Sequence, residues 1–414
     1  MKDRFSFYYL GSVILLTLVI GGGVSQYLLT DHLIEMALIP AIFVGFGGLF
    51  SSQILTFVRL FSISSVLFIG FQFIPIDSDN WPSQNITSAI QLQLFSPVPG
   101  KSLESGLFFI MLLGFGLHVM QLKPESQTRL LNFVFAGVGI NVILVLLQLS
   151  YPNGFGTYGV LPYPISVGVF QNENHLSALF VAVIPLMTVR LIGDSNRGYF
   201  YYPLLLILVV VLYAVGSRAG MFMATTAAIF SVFWFKIGHR LIGKKIVWLV
   251  VLLPALLGLI WMLGGFESYF REDRWLMVQN TWSAIKDHWM FGSGLGSFET
   301  TYPLYESTEQ IGLLYTHHAH NDILELLLET GLPGLFLSGG MLVMILRNFD
   351  RSLFTQACIF SVVTIIMHST LDYPLRTMAV GIIFSYLLAI ILTRKRKKVK
   401  IREKSVKSFG ALGK

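Results

Sequence analysis

Apolar residues run almost without charge over positions 7–23, 33–50, 54–74, 107–122, 130–149, 176–192, 199–216, 221–235, 246–263, 332–346, 354–367 and 378–392. Most of these runs are about as long as a bilayer is thick. Each predicts a membrane-spanning helix, because lipid accepts apolar side chains on every face of a helix whereas water does not. The pattern therefore predicts an all-α polytopic membrane protein with about twelve spans and ends uncertain by a few residues. Polar sequence interrupts it at length over 75–105, 150–175 and above all 264–331. The chain reads as a single membrane domain, 1–414, with 264–331 as a long loop carrying interfacial helices and 393–414 as a basic tail. Function is expected in that loop, where a rigid scaffold presents polar groups to water.

Composition agrees: 54% of the residues are hydrophobic and 12% are charged. One soluble core of that make-up would leave large apolar surfaces without a partner. The single cysteine can form no internal disulfide and says little about compartment. No small-residue cleavage site is evident after the first run, so that run is read as a retained helix. If it starts in the cytoplasm, Lys2 and Arg4, Lys123 and Arg129, Arg197, 236–245, Arg347 and Arg351, and the tail that opens Arg394-Lys395-Arg396 all fall inside, with both termini. The net charge of +7 is then mostly a topological signal and an attraction to anionic lipid. A nucleic-acid arm is the poorer reading, since no groove-reading or base-stacking motif accompanies the charge.

Within the loop, Trp275, Val278, Trp282, Ile285 and Trp289 recur at three- and four-residue steps, which predicts a helix opened by Glu272 and Asp273 with one apolar stripe at headgroup depth. Gly292-Ser-Gly-Leu-Gly296 then breaks it. That turn reads as a hinge more than a nucleotide loop, because no strand precedes it and no helix-borne lysine follows. A second short helix is expected from the cap Asn321 to Thr330, stopped by Gly331, with Pro333 in the first turn of the next span. Asp322, Glu325 and Glu329 share one face of it, and His320 stands at its mouth.

Read by spacing alone, this helix has a solvated acidic face and histidines that satisfy local hydrogen bonds. His317, His318, His320 and Asp322 do not follow a helix-borne zinc pattern, so no metal site is assigned. His320 as a general base is better supported, since imidazole has a suitable pKa and the site is water-accessible beside the membrane. Arg218, Arg271, Arg274 and Arg376 break the charge rule by falling on the outer side, each beside a helix end. One such arginine can snorkel to lipid headgroups. Four around one loop system suit an anionic ligand, and a ligand both membrane-bound and strongly anionic is a lipid diphosphate. Arg59 and Arg190 need no more than snorkelling. His118, Asn132 and Asn141, inside spans, fit either an ion pathway or the commoner hydrogen bonding between helices.

Several segments, in order, resemble the O-antigen ligase and O-antigen polymerase superfamily: Gly168-Val-Phe-Gln-Asn172-Glu-Asn174-His175, Gly216-Ser217-Arg218-Ala-Gly220, Arg274-Trp275, Gly292-Ser-Gly294-Leu-Gly296, His320-Asn321 followed by Gly331 and Gly334, and Asp372-Tyr-Pro-Leu-Arg376. The likeness covers most of the chain from Gly168 on; the first five spans match in character only. The resemblance implies a metal- and nucleotide-independent, inverting glycosyltransferase with no cofactor. It would move a glycan from undecaprenyl diphosphate to a sugar hydroxyl at the periplasmic face of the bacterial inner membrane. A ligase uses lipid A core as acceptor and a polymerase another lipid-linked repeat; the spacing from His320-Asn321 to Gly331 and Gly334 leans to ligase. His320 would be the base, with Arg218 and Arg274 on the diphosphate. Arg376 and Arg271 are further phosphate candidates, Asn172 and Asn174 would orient sugar hydroxyls or the loop, Asn321 and His318 are further substrate-binding candidates, and His318 could also hold His320. A transporter or flippase of envelope glycolipid, and a scaffold for envelope assembly, are the other classes; neither needs a base and arginines together on an outer loop.

Overall fold

The computed structural model describes residues 2–24, 28–74, 95–150, 167–193, 198–235, 272–307, 316–349 and 352–393. Their helices are α1 (Lys2–Ile20), α2 (Leu29–Gly47), α3 (Thr56–Phe71), α4 (Pro99–Gln121), α5 (Pro124–Arg129), α6 (Leu131–Ser150), α7 (Glu173–Gly193), α8 (Gly198–Val215), α9 (Arg218–Phe233), α10 (Glu272–His288), α11 (Phe298–Thr301), α12 (Asp322–Arg347), α13 (Leu353–Ser369) and α14 (Met378–Leu392), with 3₁₀ turns at Tyr302–Tyr305 and Pro374–Arg376. Every apolar run named above falls on one of these helices except 246–263, which lies outside the described residues together with Arg271 and the basic tail. Among the described residues, α1, α2, α4, the α5–α6 stretch, α7 and α12 are long and apolar enough to cross a membrane, and five shorter apolar helices accompany them.

The bundle is built around α7, whose flanks are covered by α8, α9 and α13. That explains why its run, from Leu176 to Met187, is apolar all round: it faces protein on every side. α2 lies on α4, α1 on α6, and α14 on α4 and α13. Between α2 and α4 the backbones meet at Gly45 and Gly114, where a Cβ on Gly45 would strike the Gly114 carbonyl. In lipid, close approach of small residues replaces the hydrophobic effect as the source of helix association. Polar side chains within the spans hold helices together: Asn141 donates to Leu18 O at 2.9 Å and accepts from Val169 N at 3.1 Å, and His118 Nε2 lies 3.0 Å from Ser6 Oγ. Asn132 is exposed.

The helix termini sort to two ends. At one, Asp3 accepts from Lys123 N and Ser126 Oγ, Gln127 meets Thr393, and Arg190 donates to Thr128 O. At the other, the starts of α4, α7, α9 and α12 and the end of α13 gather under α10 and the 292–296 turn. The candidate site lies there.

Candidate active site

Residues 370–377 connect α13 to α14 and are stitched onto the first turn of α12. Asn321 caps α12 as expected, its Oδ1 accepting from Ile323 N and Leu324 N at 3.0 Å, while its Nδ2 donates to Thr370 O at 3.1 Å. Asp322 accepts from Leu375 N at 3.1 Å, and Asp322 N donates to Asp372 O at 3.4 Å. At Gly331 the helix breaks, with φ 56° and ψ −146°. The glycine-rich turn packs into that break: Ser293 N and Gly294 N donate to Leu328 O and Glu329 O, and Leu332 N donates to Trp289 O. A side chain at Gly292 would collide with the Glu329 carbonyl, and one at Gly331 with Gly292 N. The turn therefore caps the end of a half-helix, a structural account of its glycines that calls for no nucleotide.

His320 sits just before the cap with φ 48°, the one non-glycine residue with positive φ among the described residues. Such a backbone costs on the order of 1 kcal/mol and persists where surroundings impose it. What it achieves is orientation: His320 Nδ1 reaches Asp372 Oδ1 at 3.2 Å, and the ring sits edge-on to Tyr373, centroids 5.0 Å apart. The Asp372 carboxylate can only accept, so Nδ1 carries the hydrogen and the Nε2 lone pair is left for chemistry. The His320 side chain is 31% exposed and that of Asp372 only 1%. A buried carboxylate needs donors. Asp372 has Tyr373 N at 2.9 Å and His320 on Oδ1, Asn174 Nδ2 at 2.6 Å on Oδ2, and His175 Nε2 standing 3.7 Å from Oδ1. Burial penalises its charge, yet the imidazoles of His175 and His320 outweigh that and hold the carboxyl well below the usual carboxylate range.

His318 has a different carboxylate. Its Nδ1 lies 2.9 Å from Glu325 Oε1, its ring lies against Tyr373 at 4.3 Å, and Glu325 Oε2 accepts from Ala319 N. Burial opposes a charge on His318, but Glu325 prevails and raises its pKa. Arg376 reaches Glu329 at 3.1 Å, Glu325 at 3.3 Å and Asp322 at 3.7 Å. The acidic face of α12 is thus buried, not solvated as its spacing suggested, because the Arg376 loop folds over it. His317 is exposed and lies 2.7 Å from Glu299, which also pairs with Lys101.

Of the remaining predicted arginines, Arg218 and Arg274 lie among the described residues. Arg218 is exposed at the first position of α9, whose cap Ser217 accepts from Gly220 N and donates to Asn174 Oδ1 at 2.7 Å. One chain of hydrogen bonds therefore runs from the Arg218 helix start through Ser217 and Asn174 to Asp372. Arg274, in the first turn of α10, donates to Leu371 O at 3.3 Å. Asn172 opens α7, accepting from Asn174 N at 2.8 Å. α10 buries Ala284 and Ile285 against Phe298, Tyr302 and Leu328, while Trp275, Trp282 and Trp289 stay about half exposed. Ile285 thus leaves the stripe assigned to it and turns inward, because α12 and α11 pack on that side.

The spacing argument did not single out Asp372, His175 or Tyr373 as site residues. All three stood in segments that carry the resemblance, Asp372 and Tyr373 in Asp372-Tyr-Pro-Leu-Arg376 and His175 at the end of the Gly168 segment, which was the signal available for them. Tyr373 contacts His175, His318 and His320.

Residues 203–339 match the family model described as O-antigen ligase. That match covers about a third of the chain and supports, for this segment, a likeness to the O-antigen ligase superfamily. The comparison with curated proteins gave no match.

Proposed function

On the premise of that family match, we propose that the chain is an O-antigen ligase-like transferase of the bacterial inner membrane, with both termini cytoplasmic and the His320 end of the bundle at the periplasmic face. The observation that carries it is the His320–Asp372 pair, an oriented and water-accessible base, set beside arginines at the starts of α9 and α10. His320 Nε2 takes the proton of an acceptor sugar hydroxyl as that oxygen attacks the anomeric carbon of the donor glycan. The bond from that carbon to the undecaprenyl diphosphate oxygen breaks as the new one forms, so the configuration inverts. Arg218 and Arg274 bind the diphosphate and meet the charge that grows on it as it leaves. Arg271 is a further candidate for that anion. Arg376 is engaged with three carboxylates and is better suited to holding the site's shape.

The tail of such a donor needs an apolar path to the site. A groove between α7, α9 and α13 is lined by Phe222, Met223, Phe230, Phe360, Val363 and Met367. It begins one turn below Arg218 and one turn before the Asp372 loop, so a chain lying in it would bring its diphosphate to both. The test is transfer by purified protein from undecaprenyl-diphosphate-linked glycan to lipid A core, without nucleotide. Wild type should form a new glycosidic bond and His320→Ala should not. Undiminished transfer by a folded His320→Ala protein would remove the base. Deleting the gene separates acceptors: bare core with accumulated lipid-linked chains marks a ligase, and a single repeat unit on the core marks a polymerase.

A further inference from the structure

Behind the dyad, on its buried side, stands a histidine that the reaction above does not use. His175, at the third position of α7, is fully buried, and neither ring nitrogen has a hydrogen-bond partner. Burying an unsatisfied imidazole in the best-packed helix of the bundle costs free energy that an apolar residue would not. The ring is placed with a purpose: Nε2 is directed at Asp372 Oδ1, 3.7 Å away, and its face is set against the Tyr373 ring in an edge arrangement, centroids 4.7 Å apart and planes at 77°. It approaches Asp372 from inside the bundle while His320 approaches the same oxygen from the loop.

We propose that His175 is a positioning residue for the base, sharing the charge of the Asp372 carboxylate from the buried side and so moderating its hold on His320 Nδ1. It acts through Asp372 and touches no substrate. The inference rests on His320 being the base of the proposed transfer, but its direct readout, the titration of the His320 ring, does not.

The groups facing Asp372 are few. α7 contributes Asn174 and His175, α13 contributes the buried His368 one turn earlier, the loop before α12 contributes His320, and Tyr373 adjoins it within its own loop. Arg274 of α10 binds the neighbouring Leu371 carbonyl. His175 and His368 are both buried with ring nitrogens that keep no hydrogen bond of their own, and of the two it is His175 whose Nε2 faces Asp372 Oδ1. Nε2 stands 3.7 Å from Oδ1, so a small turn of the ring would bring its N–H within hydrogen-bond length of the carboxylate when that charge is least compensated, as when His320 is neutral.

The experiment is a titration of ¹⁵N-histidine-labelled full-length protein in lipid nanodiscs, the His320 signals being assigned by their loss in His320→Ala. His175→Phe keeps the ring volume and the contact with Tyr373 but removes the donor. The Asp372 charge is then less compensated, so its hold on the His320 imidazolium strengthens. The His320 titration should move up by about 0.5–1 pH unit, and the acid limb of the transfer rate with it. His175→Gln, which restores a donor, should bring the titration back toward wild type. A purely structural role would lower yield or rate at all pH values and leave the titration where it was; an unmoved or downward-shifted His320 titration in His175→Phe overturns the proposal. If the wild-type protein shows no transfer from the lipid diphosphate, the proposed reaction fails, and the His320 titration still decides what His175 does.

Discussion

Two histidines two residues apart, His318 and His320, lie against the same tyrosine ring and each faces a buried carboxylate, yet they are built for different ends. His318 is 21% exposed and faces Glu325, which also serves Arg376 and the Ala319 amide. Arg376 in turn binds Glu329, so the cluster is closed on itself. His320 is more exposed, and its carboxylate accepts from Asn174 and a backbone amide. The residue types nearly match. How far a ring is left open to water, and how tightly its acid is tied into a buried network, separates a structural pair from a reactive one.

The sharpest way to break the comparison is to disarm each acid. Asp372→Asn keeps the volume of the side chain but offers an amide that can face Nδ1 with either end, so the Nε2 lone pair is no longer presented reliably. Turnover should fall by about 10²–10⁴-fold, the usual contribution of an oriented base, with little change in folding. Transfer assays on protein matched for monodispersity read this directly, and a loss below tenfold would mean that Asp372 does not orient the base.

On the other side of Tyr373 the expected damage is to stability. Arg376→Met leaves Asp322 and Glu329 buried without their cation and Glu325 with His318 alone, and breaking a buried ion pair from one side costs about 3–5 kcal/mol. A fall in the thermal unfolding midpoint should dominate, and the fraction that remains folded should use donor normally. If folded Arg376→Met instead showed a raised KM for the lipid diphosphate at unchanged stability, Arg376 would be a phosphate ligand and the closed cluster would have been misread.

Much of this was legible in the chain. Hydropathy placed the helices because lipid contact and burial make the same demand on side chains, and local chemistry placed the Asn321 cap and the Gly331 break because both act within a few residues. The pairings across Tyr373 were not legible. Asp372 follows His320 by 52 positions, and only the folding of the 370–377 loop onto α12 brings them together. The same loop turns the face of Asp322, Glu325 and Glu329 inward, and no periodicity distinguishes an acid face meeting water from one meeting Arg376. Asn174 was legible as a motif residue, but its role as a link between Ser217 and Asp372 was not.

A smaller effect sharpens the reactive side. Arg218→Lys keeps the charge at the start of α9 but replaces a planar fork with a single ammonium. Loss of one charge-assisted hydrogen bond, about 1.5 kcal/mol, should lower kcat/KM for the lipid diphosphate roughly tenfold. His318→Lys or His318→Gln should leave donor use nearly unchanged. Equal losses at Arg218 and His318 would erase the distinction between the two sides.

The smallest effect concerns the charge on His318. Its pKa in the folded protein is raised: burial works against the charge, and Glu325 more than compensates. A raised folded value means that the protonated pair stabilises the fold fully below the unfolded histidine value of about 6.5, and that this stability is lost as pH rises through the folded value. The remaining exposure of the ring screens the pair, so the gain should stay near or below about 1 kcal/mol. In His318→Gln, which keeps a donor but no titration, the unfolding midpoint should therefore fall below that of wild type at about pH 6 and converge with it at about pH 9. A gap that widened with rising pH would mean that His318 is neutral when folded, and that the closed cluster is held by Arg376 alone.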